Sequence, residues 1–505
     1  MNVSRFAKLR PGLVAELLVL SLLSACGGDH SAFDDRTVDA DQYAAQCAAP
    51  RTGNDPYNDN RPYPDRQGTL ADERDWLYAY MDAIYLWYRE IPDVDAASYT
   101  AARYGSVPDA LDAYFQALKT PKRTASGKLE DNFSFTYPTD QWDALSQAGL
   151  YVSYGVQFAA LANTPPRDYR VAYTEPRRPA GNDVIERGAQ ILSVDGIDLV
   201  NGDDTDALNA GLFPASEGER HSFHIRDVGG TERDVVLTAA AVTETPVQNV
   251  KTVATSTGAV GYLLFNDHIA TAEGELINAV NTLQNAGISD LVLDLRYNGG
   301  GYLDIASELA YMIAGPARTS GKLFERLSYN DKNPLAGSSD ATTGFHSSAV
   351  GFDPSVSEGS DLPTLNLGRV FVLAGPGTCS ASEAVVNGLR GVDVDVVLVG
   401  DTTCGKPYGF YPEDNCGLTY FAIEFQGINA KGFGDYADGF TPRCSVADDF
   451  SHALGDPQEG LLSAALSYRD SGGCPVGVKR ASDRPPLKLL RSPLRENLII
   501  RRPRL

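Results

Sequence analysis

The sequence predicts an α/β core, a mixed sheet with crossover helices, joined to a small β-rich domain and an N-terminal helical segment. Three observations predict it. Between residues 244 and 475, short apolar runs alternate with helix-length amphipathic stretches, the pattern of strands linked by crossover helices. Residues 148–240 carry only short alternating or apolar runs such as "YVSYGVQFA", "RDYRVAYT" and "ERDVVLTA", separated by Gly, Pro and Asp. Residues 71–147 place Leu77, Tyr80, Met81, Ile84, Trp87, Tyr88 and Ile91 at intervals of three and four before Pro92, a helical stripe.

Taken in order, residues 1–26 read as a targeting segment. Arg5, Lys8 and Arg10 precede the apolar run "LVAELLVLSLL", and Leu23-Ser24-Ala25-Cys26 resembles a bacterial lipobox, in which cleavage before the cysteine leaves Cys26 to carry lipid. Glu16 interrupts the run, and an ordinary cleaved signal is the alternative. No other stretch is apolar for long enough to span a bilayer. The mature chain is therefore expected in the cell envelope, periplasm-facing and lipid-anchored to the outer membrane. Residues 27–70, rich in Asp, Asn, Pro and Arg, are expected as a flexible linker. In 71–147 a second helix follows at "VPDALDAYFQALKT". From 476 to 505 the chain turns basic and Pro-containing. Nine Lys/Arg from Lys479 onward face only Asp483 and Glu496, so this tail is +7 and the rest of the chain −30. It reads as a solvated extension or as one that touches anionic membrane or the acidic body.

A formal charge of −23 argues against nucleic acid as a partner. Apart from Cys26, six cysteines remain (Cys47, Cys379, Cys404, Cys416, Cys444, Cys474), an even number that suits disulfides in an oxidising compartment. A metal site is not expected. There is no CxxC, and His221 and His224, three apart in a strand, face opposite sides. No cofactor is implied, and oligomeric state is not legible.

Ligands of an α/β sheet gather where loops leave the C-terminal ends of its strands. Three such loops stand out: "DLRYNGGG" (Asp294 to Gly301), "GPGTCSASE" with Ser380, and "GDTTCGKPYG" with Lys406 between Gly405 and Pro407. Singly, each has a plain explanation. Ser380 reads as a helix N-cap, with Glu383 completing a capping box. Lys406 reads as surface charge and the glycines as a turn, while Asp294 and Arg296 read as a structural pair. Together they fit acyl-transfer chemistry. A serine hydroxyl needs a neighbour to take its proton, and a lysine held against apolar walls can lose its own. Amides at a helix N-terminus suit a developing oxyanion. A catalytic Cys379 is disfavoured, since no histidine lies near it in sequence.

The set resembles the C-terminal-processing, or tail-specific, protease family of serine endopeptidases, whose members carry SASE-like, DLRxNxGG and GK motifs in this order. The likeness covers roughly residues 70–470, and Lys406 stands 26 residues after Ser380, close to the family's interval. It implies Ser380 as nucleophile, Lys406 as general base, and oxyanion donors from the Ala381 amide and a glycine amide, Gly300 first and Gly301 next. It also implies that 148–240 is a PDZ-like domain. The "SYGVQFA" loop, Tyr154, Gly155, Val156, Gln157 and Phe158, would receive a peptide's terminal carboxylate beside an added strand. The implied activity is endopeptidase action on proteins or peptides engaged through C-terminal or extended segments.

One position departs from the pattern. Relatives often hold a glutamine four residues after the lysine, and here that residue is Phe410. A catalytically inactive, peptide-binding lipoprotein of the same fold is therefore the alternative, and a hydrolase of small esters or amides a further one. If Ser380 and Lys406 meet, Cys379 and Cys404 become neighbours, and a Cys379–Cys404 disulfide is expected to fix the two loops. Its rival is Cys404–Cys416 with Cys379 a buried thiol. Cys416–Cys444 is expected to close the aromatic, Gly-rich stretch between them.

Overall fold

A computed structural model describes residues 39–483, 486–490 and 499–500. The targeting segment with Cys26 lies outside the described residues, as do the other tail positions. The core is a six-stranded sheet in the order Val247–Thr255, Gly258–Phe265, Asp290–Asp294, Arg369–Ala374, Asp395–Gly400 and Cys444–Ser445. The first two strands form an antiparallel hairpin, and every later neighbour is parallel. Parallel neighbours require crossovers, and helices Ala272–Asn285, Leu303–Ala314 and Ala381–Gly391 lie between successive strands.

Alternation along the strands assigns the two faces. Leu291, Leu293, Val370, Val372, Val396 and Leu398 pack under those three helices. Their neighbours Val292, Phe371, Leu373, Val397 and Val399 point the other way, onto Leu461 and Leu462 of helix Gly460–Ser471. With both faces covered, the strands read as unbroken apolar runs. Ala159 and Tyr173 of the β-rich domain join this second cluster.

The β-rich domain is an antiparallel sheet ordered Glu232–Thr238, Arg220–Arg226, Gln190–Val194, Asp168–Thr174 and Val156–Ala162. His221 and His224 diverge as the strand period requires, one to Asp195 and the other to Asp234. The Val156–Ala162 edge carries an unexpected strand, Lys488–Leu490 from the basic tail. The N-terminal helices, Leu70–Ile84 and Val107–Ala117, lay Trp76, Tyr80 and Phe115 around Tyr420 of strand Leu418–Phe421. The aromatic stripe is therefore core. Thr69 caps the first helix reciprocally with Asp72.

Two expectations change. From Asp39 onward the expected linker is held in place. Arg51 pairs with Asp65, Ala45 N–H donates to Asn415 Oδ1, and Ala48 N–H donates to Glu73 Oε1. Side-chain bonds and a disulfide supply there what apolar content does not. The expected Cys416–Cys444 bridge is not formed: Cys416 pairs with Cys47, and Cys444 with Cys474. Cys416 turns a hairpin beside the N-terminal helices, while Cys444 lies on the edge strand of the core sheet.

At the end of strand Asp290–Asp294, Arg296 is buried in a cage of acids. Its guanidinium donates to both oxygens of Asp294, to both of Glu459 and to Asp448. Arg187 of the β-rich domain donates to Asp448 and to the Tyr297 hydroxyl. Removing one partner from such a network strands buried charge at roughly 3–5 kcal/mol. Arg296→Met should therefore lower the urea unfolding free energy by about that amount.

Candidate active site

The loops after strands Asp290–Asp294, Arg369–Ala374 and Asp395–Gly400 meet at one end of the core sheet because those strands are parallel neighbours. Backbone bonds stitch them together: Cys379 N–H donates to Asn298 O at 3.1 Å, and Cys404 N–H to Thr378 O at 3.0 Å. The Cys379–Cys404 disulfide, with Cα atoms 5.2 Å apart, joins the second and third loops covalently.

Ser380 opens helix Ala381–Gly391 with φ +64° and ψ −119°. A β-carbon is strained in that region, and residues held there cluster at functional sites. Its hydroxyl is buried and has no hydrogen-bond partner, a burden of about 1–3 kcal/mol that native structures seldom carry without reason. The expected reciprocal cap is thus only half made. Glu383 accepts from the Ser380 N–H at 3.0 Å, while the serine hydroxyl is left over.

Glu383 does more than cap. Its oxygens also accept from the Lys406 N–H at 2.8 Å, the Gly405 N–H at 2.9 Å and the Thr403 hydroxyl at 2.5 Å. One buried carboxylate thereby holds the serine turn and the lysine loop in register. Burial pushes that carboxyl up, and the donors from Thr403, Lys406, Ser380 and Gly405 oppose it. The group Cys379, Glu383 and Cys404 has the proximity of a metal cluster, but its two sulfurs are bonded to each other.

Lys406 is wholly buried. Its Nζ lies 4.2 Å from the ring centre of Phe410 and 5.4 Å from that of Phe133. Burial drives the ammonium well below its ordinary 10.5, with Asp131 and Glu383 pulling the other way. Phe410 is part of the apolar wall. The backbones of Ser380 and Lys406 meet on Glu383, and the Ser380 hydroxyl makes no hydrogen bond to the lysine.

The glycine loop departs from expectation in one respect. The Gly300 amide donates to the Asn298 side chain at 2.9 Å, so the first-choice oxyanion donor is already engaged. Gly300 and Gly301 have φ +107° and +133°, and a Cβ on Gly301 would come within 2.4 Å of His268 O. Only glycine fits there. The Ala381 amide is a first-turn N–H with no acceptor inside its helix. Gly299, the remaining glycine of the loop, lines a cavity of about 720 Å³ with Gly377, Cys404 and Gly405.

His268 was also missed. It lies just past strand Gly258–Phe265, at the same sheet end, and its Nδ1 stands 3.0 Å from Asn298 Oδ1. Since that oxygen accepts from Gly300, Nδ1 is the donor, and burial pushes the imidazole down to about 3. A neutral histidine thus sets the Asn298 turn. The strand-end rule that singled out the other loops applied equally to "LLFNDH".

In the β-rich domain, Tyr154 is buried with its hydroxyl on Gly211 O, and Gly155 turns at φ +71°. Its amide is taken by Ser153 Oγ. Val156, Gln157 and Phe158 start the edge strand, and Gln157 Nε2 donates to Leu490 O at 2.8 Å. A cavity of about 510 Å³ lies there, bounded by Tyr154, Val156, Phe158, Leu212, Phe213 and Leu490.

Comparison with known proteins finds a family match over part of this region. A model of peptidase family S41 matches residues 259–409. The chain is 28% identical over 285 residues to a carboxyl-terminal-processing protease of Picosynechococcus sp. (strain ATCC 27264 / PCC 7002 / PR-6), covering 55% of this chain and 60% of that protein. It is 27% identical over 229 residues to the chloroplastic carboxyl-terminal-processing peptidase 1 of Arabidopsis thaliana, covering 44% and 40%. The chain therefore spans about 60% and 40% of the length of these curated relatives. A crystal structure titled as an S41 protease, from Bacteroides fragilis NCTC 9343, superposes with a TM-score of 0.60 at 24% identity, covering 81% of this chain and 98% of that one, and shares the fold. The S41 match, residues 259–409, takes in the glycine loop, Ser380 and Lys406.

Proposed function

We propose that the protein is a serine endopeptidase that uses a Ser380/Lys406 dyad on extended peptide segments. The observation that carries this reading is the Glu383 carboxylate, which binds the Ser380 and Lys406 backbones at once while both functional side chains are buried beside it. Such a clamp has no use for a surface lysine and a capping serine. It suits a base and a nucleophile that must keep their spacing.

In this mechanism Ser380 Oγ attacks the scissile carbonyl carbon and its proton passes to Lys406 Nζ. The carbonyl oxygen takes the electron pair and is held by the Ala381 amide with a backbone N–H of Gly299 or Gly301. Collapse expels the amine, which takes the proton from Lys406, and leaves an acyl ester on Ser380. Water, deprotonated by the same lysine, then releases the acid. The Ser380–Lys406 hydrogen bond is absent in this resting arrangement, and catalytic bonds commonly tighten only with substrate bound.

Residues 148–240 act in this reading as a PDZ-like module, taking peptide as an added strand along Val156–Ala162. The three disulfides support an oxidising compartment. With Cys26 they support an exported protein, lipid-anchored and periplasm-facing at the outer membrane. No helix among the described residues is long and apolar enough to cross a membrane.

Turnover of fluorescein-labelled casein should fall at least ~10³-fold in both Ser380→Ala and Lys406→Ala. Equal turnover by these variants and the wild type would remove the dyad, and no turnover by the wild type would leave the inactive peptide-binding protein that Phe410 favours. The acid limb of the kcat/KM profile should reflect deprotonation of Lys406 and so lie well below 10.5.

The same burial has a stability consequence of defined sign. Between the folded value and 10.5, the unfolded chain holds a proton that the folded protein lacks, so folding there is opposed by proton release. Below the folded value the full penalty of a buried charge applies, and above 10.5 neither state is charged. Lys406→Met should therefore melt higher than the wild type at neutral pH while losing activity. The difference in melting temperature should shrink as pH approaches 10.5.

A further inference from the structure

The basic tail left its role open, yet the structure puts two of its pieces at functional edges. Lys488–Leu490 runs antiparallel along Val156–Ala162, with Lys488 opposite Ala160 and Leu490 opposite Phe158. This is the strand-addition mode by which a sheet edge takes a peptide, main-chain bonds supplying affinity and alternate side chains filling pockets. Leu489 is buried in the cluster that holds Ala159, Tyr173 and Tyr297. Leu490 turns to the opposite cluster, around Phe158 and Val171.

The contact reaches the catalytic loops. A Cβ at Gly377, three residues before Ser380, would meet Leu489 Cδ1 at 3.6 Å. Pro486, Leu487 and Lys488 line the cavity of about 720 Å³ together with Gly299, Gly377 and Gly405. Further along, the backbone of Ile499–Ile500 pairs in parallel with Gly301–Tyr302, in the glycine loop. It also lies near Tyr408–Gly409, which follows Lys406. The tail thus stands at the peptide edge and between the two loops that flank the nucleophile.

We propose that the C-terminal segment is the resident occupant of the peptide groove. Residues 488–490 fill the strand-addition edge and residues 499–500 lie across the Ser380 loops, so a peptide substrate must displace the chain's own tail before it can be cut. The complete burial of Ser380 and Lys406 agrees with a closed resting state. So does charge: the segment from Lys479 carries +7 against −30 for the rest. Tethering keeps the occupant at a high effective concentration, so even weak strand pairing competes with free peptide. The proposal rests on the peptidase reading for its kinetic consequence, but the docking can be measured without catalysis.

The test uses the full chain, a chain ending at Asp483 and the full-length variant Leu489→Asp. Casein turnover should rise roughly tenfold or more in both altered proteins, with KM falling. Raised salt should stimulate the full chain more than the truncated one, by screening the attraction between tail and body. A fluorescein-labelled peptide of residues 484–505 should bind the truncated Ser380→Ala protein in an anisotropy assay, and should bind the full-length Ser380→Ala protein at least tenfold more weakly. Equal peptide affinity for the two, or no binding to either, would overturn the proposal. So would unchanged turnover in both altered proteins alongside an active wild type. If Ser380→Ala proves as active as wild type, the dyad fails and the anisotropy result still decides the docking.

Discussion

One carboxylate holds the site together. Glu383 accepts hydrogen bonds from the Ser380 amide on its own helix and from the Gly405 and Lys406 amides and the Thr403 hydroxyl on the neighbouring loop. An isolated charge in so dry a place would be prohibitive, and four donors are what make it tolerable. Remove the acceptor and these donors are stranded, and the lysine loop loses its register with the serine turn. The Cys379–Cys404 bond spans the same gap on the other side of the turn. The two loops are thus pinned twice, once electrostatically and once covalently.

Around this clamp the protein accepts several unfavourable local states. Ser380 sits in strained backbone with an unsatisfied hydroxyl, and Lys406 is placed where its charge is disfavoured. Each of these is destabilising by itself, and each is a property that the proposed acyl transfer would use. The stability that offsets them comes from elsewhere: two apolar clusters on the faces of the core sheet, and the fully paired Arg296 network that supports the glycine loop from below. Arg187 ties the β-rich domain into the same network through Asp448 and Tyr297. The β-rich domain is therefore joined through this network to the loop that carries the three glycines.

The tail makes the same connection from outside. Its leucines alternate between the core cluster and the β-rich domain as any added strand's side chains must. The edge of Val156–Ala162 is consequently not left exposed, which also removes a template for edge-to-edge association.

Much of this was legible along the chain. Apolar runs of strand length separated by helical periods specify a parallel α/β sheet, and parallel strands deliver their C-terminal loops to one end. Ser380, Lys406 and the triple glycine could therefore be grouped before any distance was known, and so could the Cys379–Cys404 pair. Partners that depend on through-space proximity were not legible. Cys47 with Cys416, separated by 369 residues, follows from where the N-terminal helices pack. The engagement of Gly300 by Asn298, the imidazole of His268 behind it and the aromatic wall of Phe133 and Phe410 around Lys406 are likewise three-dimensional facts. So is the seating of Leu489 against Gly377. The sequence by itself determined the order of strands and helices and the residues that could carry chemistry, because hydrophobic period and loop composition are local properties. Only the tertiary structure decided which buried groups lack a partner, which amides are already engaged and what lies along the peptide edge, because desolvation and hydrogen bonding depend on neighbours far away in the chain.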